Sequence, residues 1–169
     1  ILVFLNFGHP ILFIQKRPGL NNKVFKIYKF RTMENKYEKN GKLQPDELRI
    51  SKFGNWLRES SLDELPEIIN VIKGEMSFVG PRPLLVDYLK FYSEDELKRH
   101  NVKPGITGLA QISGRNTISW EEKFKHDIFY AENLSLYLDL KILLISVYKV
   151  FLKKGINHKG SVNMPRFYR

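Results

Sequence analysis

The stretch SSLDELPEIINVIKGEMSFVGPRP, residues 60–83, combines signals for a helix start, a helix end and a bend. Pro66 is best tolerated in the first turn of a helix, and Gly74 favours a helix end. We therefore predict a short helix over residues 66–73. The two prolines that close the stretch fix the backbone torsions there and predict a stiff bend.

The densest group of reactive side chains lies in and beside this stretch. Asp63 and Glu64 stand at or just before the predicted helix, and Arg58 and Arg82 flank them in the sequence. A carboxylate can attack phosphorus and form an aspartyl-phosphate if cations keep it ionised and neutralise the phosphoryl group. A second carboxylate can hold Mg²⁺. Ser61 and Glu64 also match a capping box, which merely closes a helix end, so the residues alone leave both interpretations open.

The flanking segments predict a chain of mixed secondary structure. Hydrophobic spacing, β-forming residues and glycine or proline punctuation are the signals. In chain order we predict a strand at 23–33, a surface loop at 34–47, a helix from about residue 51, a helix from about 84 to 99, a glycine-punctuated loop or hairpin at 102–116, and a helix from about 135 to 154.

The last predicted helix has two faces. Leu136, Leu140 and Leu144 follow helical spacing along one face, and Asp139 and Lys149 follow it along another. Such a helix either packs on a core or lies in a membrane interface with its lysines toward the lipid headgroups. It is not expected to span a bilayer, because its charges would lie in hydrocarbon.

The composition limits the class of protein. The 169 residues favour one domain, and the absence of cysteine excludes disulfides and cysteine-based metal sites. The formal net charge of +10 indicates an anionic partner, which can be nucleic acid, an acidic membrane surface or a phosphorylated substrate. Charge alone does not choose among these three.

The first residues, ILVFLNFGHPILFI at 1–14, are apolar but interrupted by polar residues, glycine and proline. As a helix they would be about 21 Å long, which is too short for a hydrocarbon core of about 30 Å. They lack the basic start and the cleavage site of a signal peptide. A buried strand and part of a longer membrane element remain equal alternatives from these residues.

Five segments in consistent order together resemble the bacterial sugar transferases that begin lipid-linked glycan assembly. They are KFRTM at 29–33, SLDELPE at 61–67, NVIKGEMSFVGPRP at 70–83, KPGITGLAQISGRN at 103–116 and LDLKIL at 138–143. The chain is most similar to the small monotopic polyprenol-phosphate phosphoglycosyl transferases, and among these to the PglC-like enzymes of protein N-glycosylation. This resemblance covers nearly the whole chain.

The resemblance implies a reaction and a set of residues. Asp63 would attack the β-phosphate of a UDP-sugar and release UMP, and polyprenol phosphate would then take the phosphosugar from Asp63. Glu64, together with Asp63, would hold Mg²⁺. The basic positions of the family motifs, which we expect to bind phosphate or nucleotide, fall on Lys29, Arg58, Arg82 and Arg115. An N-acetylated amino sugar is the expected donor sugar.

The resemblance also implies a fold and a location. We expect a helix-dominated α+β domain with a few short strands and amphipathic helices, bound monotopically to the cytoplasmic face of the bacterial inner membrane. Family members begin with a re-entrant membrane helix bent at Ser-Pro, a dipeptide that does not occur here. We expect residues 1–16 to be the second arm of that helix, truncated, and residues 17–169 to be the catalytic domain.

Two other functions fit the same charge. Basic residues interleaved with aromatic ones at 26–31 could grip nucleic acid, and a non-catalytic scaffold could dock on acidic lipid. The resemblance favours the enzyme, with a UDP-sugar, polyprenol phosphate and membrane lipid as its partners and no nucleic acid.

Overall fold

A computed structural model describes residues 1–114, 117–152, 167 and 168, and these residues form a helix-rich α+β fold. The α-helices of the described residues are α1 Leu2–Phe7, α2 Asp46–Arg49, α3 Lys52–Glu59, α4 Ile68–Ile72, α5 Glu94–Leu97, α6 Leu109–Ser113, α7 Trp120–Glu132 and α8 Leu136–Leu152. Short 3₁₀ helices are found at Leu20–Asn22, Leu62–Glu67, Val86–Phe91 and Lys98–His100. The strands are β1 Leu12–Pro18, β2 Val24–Phe30, β3 Ser77–Val79 and β4 Gly105–Thr107. The expected helix-dominated fold with a few short strands is confirmed.

Strands β1 and β2 form an antiparallel hairpin, in which Phe13 pairs with Lys29. The free edge of β2 is held by the side chain of Asn70, which is fully buried. Asn70 accepts a hydrogen bond from the Tyr28 N–H at 3.2 Å and donates one to the Lys26 carbonyl at 2.7 Å. One N–H and one carbonyl at this edge are satisfied in this way, so the Asn70 amide forms hydrogen bonds that a third strand would otherwise form. The hairpin is thereby fixed to α4.

Strands β3 and β4 are parallel, and the bend after β3 packs against them without side chains in between. A Cβ added to Gly80 would lie 2.4 Å from the Lys103 carbonyl oxygen. One added to Gly108 would lie 2.1 Å from the Gly80 carbonyl oxygen. The glycines of the 103–116 segment therefore allow a close backbone approach that holds the bend beside β4.

The core is divided into small clusters. Val79 of β3, Tyr130 of α7 and Ile142 of α8 form one of them. Tyr88, Phe124 and Phe167 form another, with edge-to-face ring contacts that include a 5.1 Å centroid separation between Phe124 and Phe167. These clusters fix α7 and α8 to the strand pair that carries the bend.

Several predicted elements differ in the structure. The helix predicted over 66–73 begins earlier, as the 3₁₀ turn Leu62–Glu67, and continues as α4 to a Gly74 with a φ of 75°. The helix predicted over 84–99 is wrong, because Ser93 caps a new helix and divides the segment. The segment 102–116, predicted as a loop or hairpin, contains β4 and α6. Helix α7 was not predicted, and residues 153 and 154 of the last predicted helix lie outside the described residues.

Helix α8 has the two predicted faces, and the face that carries Asp139 and Lys149 packs on the domain. Asp139 accepts a hydrogen bond from the Tyr130 hydroxyl, and Ser146 shares one with Thr107. Lys149 donates to the Ile112 carbonyl instead of extending toward lipid headgroups. The leucine face is exposed, since its members Leu136, Leu140 and Leu144 are each more than half accessible. The inward side of α8 carries these polar groups together with Ile142, which is fully buried, and the polar groups find hydrogen-bond partners on the domain.

The N-terminal segment is part helix and part strand. Helix α1 ends at Phe7, and a cis peptide bond joins His9 to Pro10 before β1 begins. Residue 16, after which we expect the domain boundary, lies inside β1. None of the described helices is both long enough and apolar enough to cross a membrane.

Candidate active site

The site is built on the 3₁₀ turn Leu62–Glu67, which carries the Asp-Glu pair. Ser61, just before the turn, has a left-handed backbone with a φ of 57°, and its side chain makes no capping hydrogen bond. A non-glycine residue in this conformation costs about 1 kcal/mol or more. The capping-box interpretation of Ser61 and Glu64 is therefore wrong, and the Glu64 side chain is directed to other partners.

Glu64 is held by two cations. Its Oε1 accepts hydrogen bonds from Nζ of Lys29 and Nη2 of Arg82, each at 2.7 Å. The side chain is only 15% exposed, and burial alone would raise its pKa. The charges of Arg82 and Lys29 outweigh burial and hold the pKa of Glu64 well below its ordinary value. Glu64 is therefore a fixed negative charge at neutral pH.

Asp63 lies beside Glu64 but has no such partner. Among the described residues, its carboxylate accepts no side-chain hydrogen bond and forms no ion pair. Burial, and after it the charge of Glu64, raise the pKa of Asp63 to about 6. Nearby cations oppose the shift, namely Lys29, Arg82 and Arg58. Asp63 is thus a half-buried carboxylate whose oxygens are available to react.

Glu67 is a third carboxylate in the site, and sequence analysis gave it no role. Its side chain is 2% exposed, and its Oε1 lies 3.0 Å from Nζ of Lys29. Burial, and then the charge of Glu64, raise the pKa of Glu67 to about 7. Residues three apart in a 3₁₀ turn lie on the same side, so the spacing between Glu64 and Glu67 was the available signal.

Arg58 approaches the site from α3. Its Nε donates a hydrogen bond to Oγ1 of Thr32 at 3.0 Å. Helix α3 reaches Thr32 because Gly54 has no side chain, since an added Cβ would lie 1.9 Å from the Thr32 carbonyl oxygen. Burial lowers the pKa of Arg58, against the charge of Asp63. The KFRTM segment thus contributes Thr32 as well as Lys29, a contact that no sequence pattern indicated.

The structure brings together most of the predicted site residues. Lys29 from β2, Arg58 from α3 and Arg82 from the bend after β3 surround the turn that carries Asp63 and Glu64. The Arg82 side chain is 43% exposed, so it faces solvent as well as Glu64. Arg115 lies outside the described residues. The arrangement is one carboxylate available to attack beside fixed cations that can neutralise an incoming phosphate.

The carboxylates also fit a magnesium ion. Mg²⁺ is usually held by one or two carboxylates together with substrate phosphates. Asp63 and Glu64 are adjacent, and Asp63 has no ion-pair partner among the described residues. Within those residues, no cluster of three or more His, Asp or Glu side chains is arranged to hold a metal alone. The donor set therefore suits an ion that arrives with a phosphorylated substrate.

Comparison with known proteins gives consistent matches. Residues 1–153 match the family described as bacterial sugar transferase. The uncharacterized sugar transferase EpsL of Bacillus subtilis is 53% identical over 166 residues, which cover 98% of this chain and 82% of that protein. The exopolysaccharide production protein ExoY of Rhizobium meliloti is 39% identical over 172 residues, which cover 91% of this chain and 76% of ExoY.

One relative is longer and carries a more specific name. The UDP-glucose:undecaprenyl-phosphate glucose-1-phosphate transferase of Escherichia coli is 40% identical over 167 residues. The match covers 92% of this chain but only 36% of the Escherichia coli protein. This chain therefore spans just over a third of that relative.

Proposed function

The chain belongs to the bacterial sugar transferase family, and from that premise we propose that it transfers a phosphosugar from a UDP-sugar to undecaprenyl phosphate. The proposed donor and acceptor are supported by the name of the Escherichia coli relative. The observation that carries the chemistry is the contrast within the Asp-Glu pair. Glu64 is bound by two cations, whereas Asp63 has no ion-pair partner among the described residues.

In the first proposed step, Asp63 is the nucleophile. A carboxylate oxygen of Asp63 forms a bond to the β-phosphorus of the UDP-sugar, and the bond from that phosphorus to the bridging oxygen breaks. UMP leaves with the electron pair, and Asp63 carries an acyl-phosphosugar. Arg82 and Lys29 neutralise charge on the phosphoryl oxygens during this transfer.

In the second proposed step, a phosphate oxygen of undecaprenyl phosphate attacks the same phosphorus. The bond from phosphorus to Asp63 breaks, which restores the carboxylate and gives an undecaprenyl diphosphosugar. Both steps move a phosphoryl group between oxygens past the same cations, so one site serves both. Glu64 keeps Lys29 and Arg82 in place throughout, because its pKa keeps it ionised.

Magnesium is the proposed cofactor. Asp63 and Glu64 would hold it, and when bound it would offset the negative charge of the diphosphate. Glu64 has a second carboxylate oxygen besides the Oε1 that binds Lys29 and Arg82. The ion pairs of Glu64 therefore leave it able to take part in binding an ion.

We further propose that the protein works at the cytoplasmic face of the inner membrane, since the polyprenyl chain of its proposed acceptor lies in a bilayer. The outward face of α8 supports this, since Leu136, Leu140 and Leu144 are exposed although the helix packs on the domain. Leu2 and Leu5 of α1 are also exposed. Apolar patches of this kind on a folded chain mark interaction surfaces.

Membrane fractionation tests the location. A high-salt wash should weaken binding to vesicles that contain anionic lipid, because lysines near the surface contribute about 1 kcal/mol each. It should not release the protein fully, because burial of the leucine face is not screened by salt. Complete release by salt alone would contradict an inserted apolar face.

The reaction is tested by adding UDP-sugars without an acceptor. Purified protein with Mg²⁺ should release one equivalent of UMP, and its mass should rise by one phosphosugar. The adduct should be labile to hydroxylamine and should map to the peptide that contains Asp63. Addition of undecaprenyl phosphate should then give turnover with ping-pong kinetics. Intersecting-line kinetics and no adduct would overturn the covalent mechanism, and no UMP from any UDP-sugar with the acceptor present would overturn the proposed function.

A further inference from the structure

The bend that carries Arg82 is held by its carbonyl groups. We name Pro81, Arg82 and Pro83 the PRP turn. Two of these residues are prolines and have no N–H, so the backbone of the turn can form hydrogen bonds mainly through its carbonyl oxygens. Each of the three carbonyls accepts a hydrogen bond: Pro81 from the Gly105 N–H at 3.1 Å, Arg82 from Nη2 of Arg99 at 2.7 Å, and Pro83 from Nη1 of Arg17 at 3.2 Å.

Arg99 donates to the middle carbonyl of the PRP turn. Its side chain is 1% exposed, and its other contacts go to Oδ2 of Asp127, with Nη2 at 2.6 Å and Nε at 3.0 Å. The rings of Tyr92 and Phe124 lie 5.9 Å from the guanidinium carbon. The position of Arg99 is thus fixed by the Asp127 carboxylate and by two aromatic rings. From this position its guanidinium also donates a hydrogen bond to the Arg82 carbonyl.

That backbone oxygen belongs to the residue whose side chain binds Glu64. Nη2 of Arg82 lies 2.7 Å from Oε1 of Glu64, while the Arg82 carbonyl is bound by Arg99. The side chain is 43% exposed, so its direction depends on its ion pair with Glu64 and on how its backbone is held. A contact chain therefore runs from Asp127 on α7 through Arg99 to Arg82 and the catalytic turn.

We propose that Arg99 and Asp127 are positioning residues that act through Arg82, aiming its guanidinium at the phosphate site. This inference rests on the proposed function, because it takes Arg82 as a phosphate-binding cation. A single-point ammonium at residue 99 could not reproduce the fork that binds Asp127 and the Arg82 carbonyl together. A buried ion pair is weak evidence of a stabilising role, whereas fixing one arrangement of a site is a use that fits these contacts.

The test replaces the whole pair. In Arg99→Met with Asp127→Leu, both buried charges are removed together, so neither partner is left unpaired. UMP release should show kcat lowered about 10- to 100-fold, the range expected when a catalytic group is misplaced by about 1 Å. KM for the UDP-sugar should change by less than about threefold, because Arg82 acts mainly as charge moves in the transition state.

A double-mutant cycle separates positioning from general damage. In an Arg82→Ala background, adding the pair replacement should lower activity by less than about twofold, because the group it positions is already absent. Ser93→Ala, which removes the cap of the neighbouring helix α5, serves as a control for lost stability and should leave kcat unchanged. Losses that multiply in the cycle, or an unchanged kcat in the pair variant, would overturn the inference.

An NMR measurement gives a readout that needs no turnover. Rotation of the Arg82 guanidinium should be restricted in the native protein, because its Nη2 is bound to Glu64, and its terminal nitrogens should give separate ¹⁵N signals. In the pair variant these signals should merge. Signals that stay separate would overturn the positioning role. A native protein that releases no UMP would count against the proposed function alone, because the NMR comparison still decides the role of Arg99.

Discussion

The charges of the catalytic turn and the Arg99–Asp127 pair both contact Arg82, but their ion pairs are arranged differently. In the catalytic turn, Lys29 and Arg82 both bind Oε1 of Glu64, and Asp63 is left without an ion pair among the described residues. In the second group, Arg99 gives two hydrogen bonds to Asp127, and the two side chains are 1% and 4% exposed.

This difference explains which group can react. Burial, and after it the charge of Glu64, raise the pKa of Asp63 to about 6, so near pH 7 it is ionised but has no ion-pair partner among the described residues. Arg99 and Asp127 instead form a one-to-one ion pair, and both side chains are removed from water. The cations of the catalytic turn bind Glu64, so the adjacent Asp63 can react. Arg99 and Asp127 bind each other, and this pair supports the site without reacting.

The largest effect is expected at the carboxylate without a partner. Asp63→Asn keeps the shape of the side chain but removes the nucleophile, so turnover should fall by about 10⁴-fold or more. UMP release in the presence of acceptor is the measurement, and the exposed Asp87→Asn is the matched control. A folded Asp63→Asn protein with near-normal turnover would remove the distinction between the two charge groups.

The second effect concerns stability of the matched pair. Arg99→Met alone leaves Asp127 as a buried, unpaired carboxylate and should lower the free energy of unfolding by about 3–5 kcal/mol. The pair replacement with Asp127→Leu should recover most of this loss. Urea unfolding followed by tryptophan fluorescence measures both variants. Equal destabilisation by the single and the pair replacement would show that the charges are not balanced against each other.

The third effect tests whether the charge of Glu64 holds Lys29 and Arg82 in the site. Glu64→Gln removes the charge that holds Lys29 and Arg82, and activity should fall by about 10²-fold. Because Glu64 is also a proposed Mg²⁺ ligand, added Mg²⁺ should restore part of the loss. Glu67→Gln, which alters the other carboxylate on Lys29, is the control and should cost less than about tenfold. A Glu64→Gln enzyme with unaltered Mg²⁺ dependence would exclude metal binding by Glu64.

The smallest effect is a gain in stability. The folded-state pKa of Asp63 is raised to about 6, so the fold binds this proton more tightly than the unfolded chain does. Ionisation of Asp63 therefore destabilises the fold progressively as pH rises from about 4 through 6. Asp63→Asn should raise the free energy of unfolding by about 2–3 kcal/mol at about pH 8 and by little at about pH 4.

Urea unfolding in the presence of EDTA measures this difference across the pH range, because bound metal would otherwise stabilise the carboxylate. Asp87→Asn should show no comparable trend. A gain from Asp63→Asn that grows toward low pH would reverse the assigned direction of the pKa shift.

The catalytic turn was largely predictable from the sequence because its parts are close along the chain. Asp63, Glu64 and Arg82 fall in one stretch, and proline and glycine signals placed that stretch at a helix start and a bend. The capping-box alternative could be decided only by the backbone of Ser61. The support around the turn could not be predicted, since Arg99 and Asp127 are 28 residues apart and no local pattern pairs them.

Helix α8 shows a different limit of sequence reasoning. Its periodicity separates Asp139 and Lys149 from Leu140 and Leu144, and the structure keeps that division. Which face turns inward depends on the hydroxyls and carbonyls that the rest of the fold presents, and these are distant in sequence. Periodicity in the sequence shows which residues of a helix share a polar or an apolar face. It does not show what each face packs against.

The position of Lys29 along strand β2 decides on which face of the β1–β2 hairpin its side chain lies. Lys29 meets Glu64 because it stands one residue after Tyr28, whose N–H is bound by Asn70. Successive side chains of a strand alternate between faces, so one residue inserted between Tyr28 and Lys29 would turn the lysine away from the turn. An insertion in the connecting segment Gly19–Lys23 would leave that phase intact. The alternation of β2 therefore forbids an insertion within one step of Lys29, whereas it places no such limit on residues 19–23.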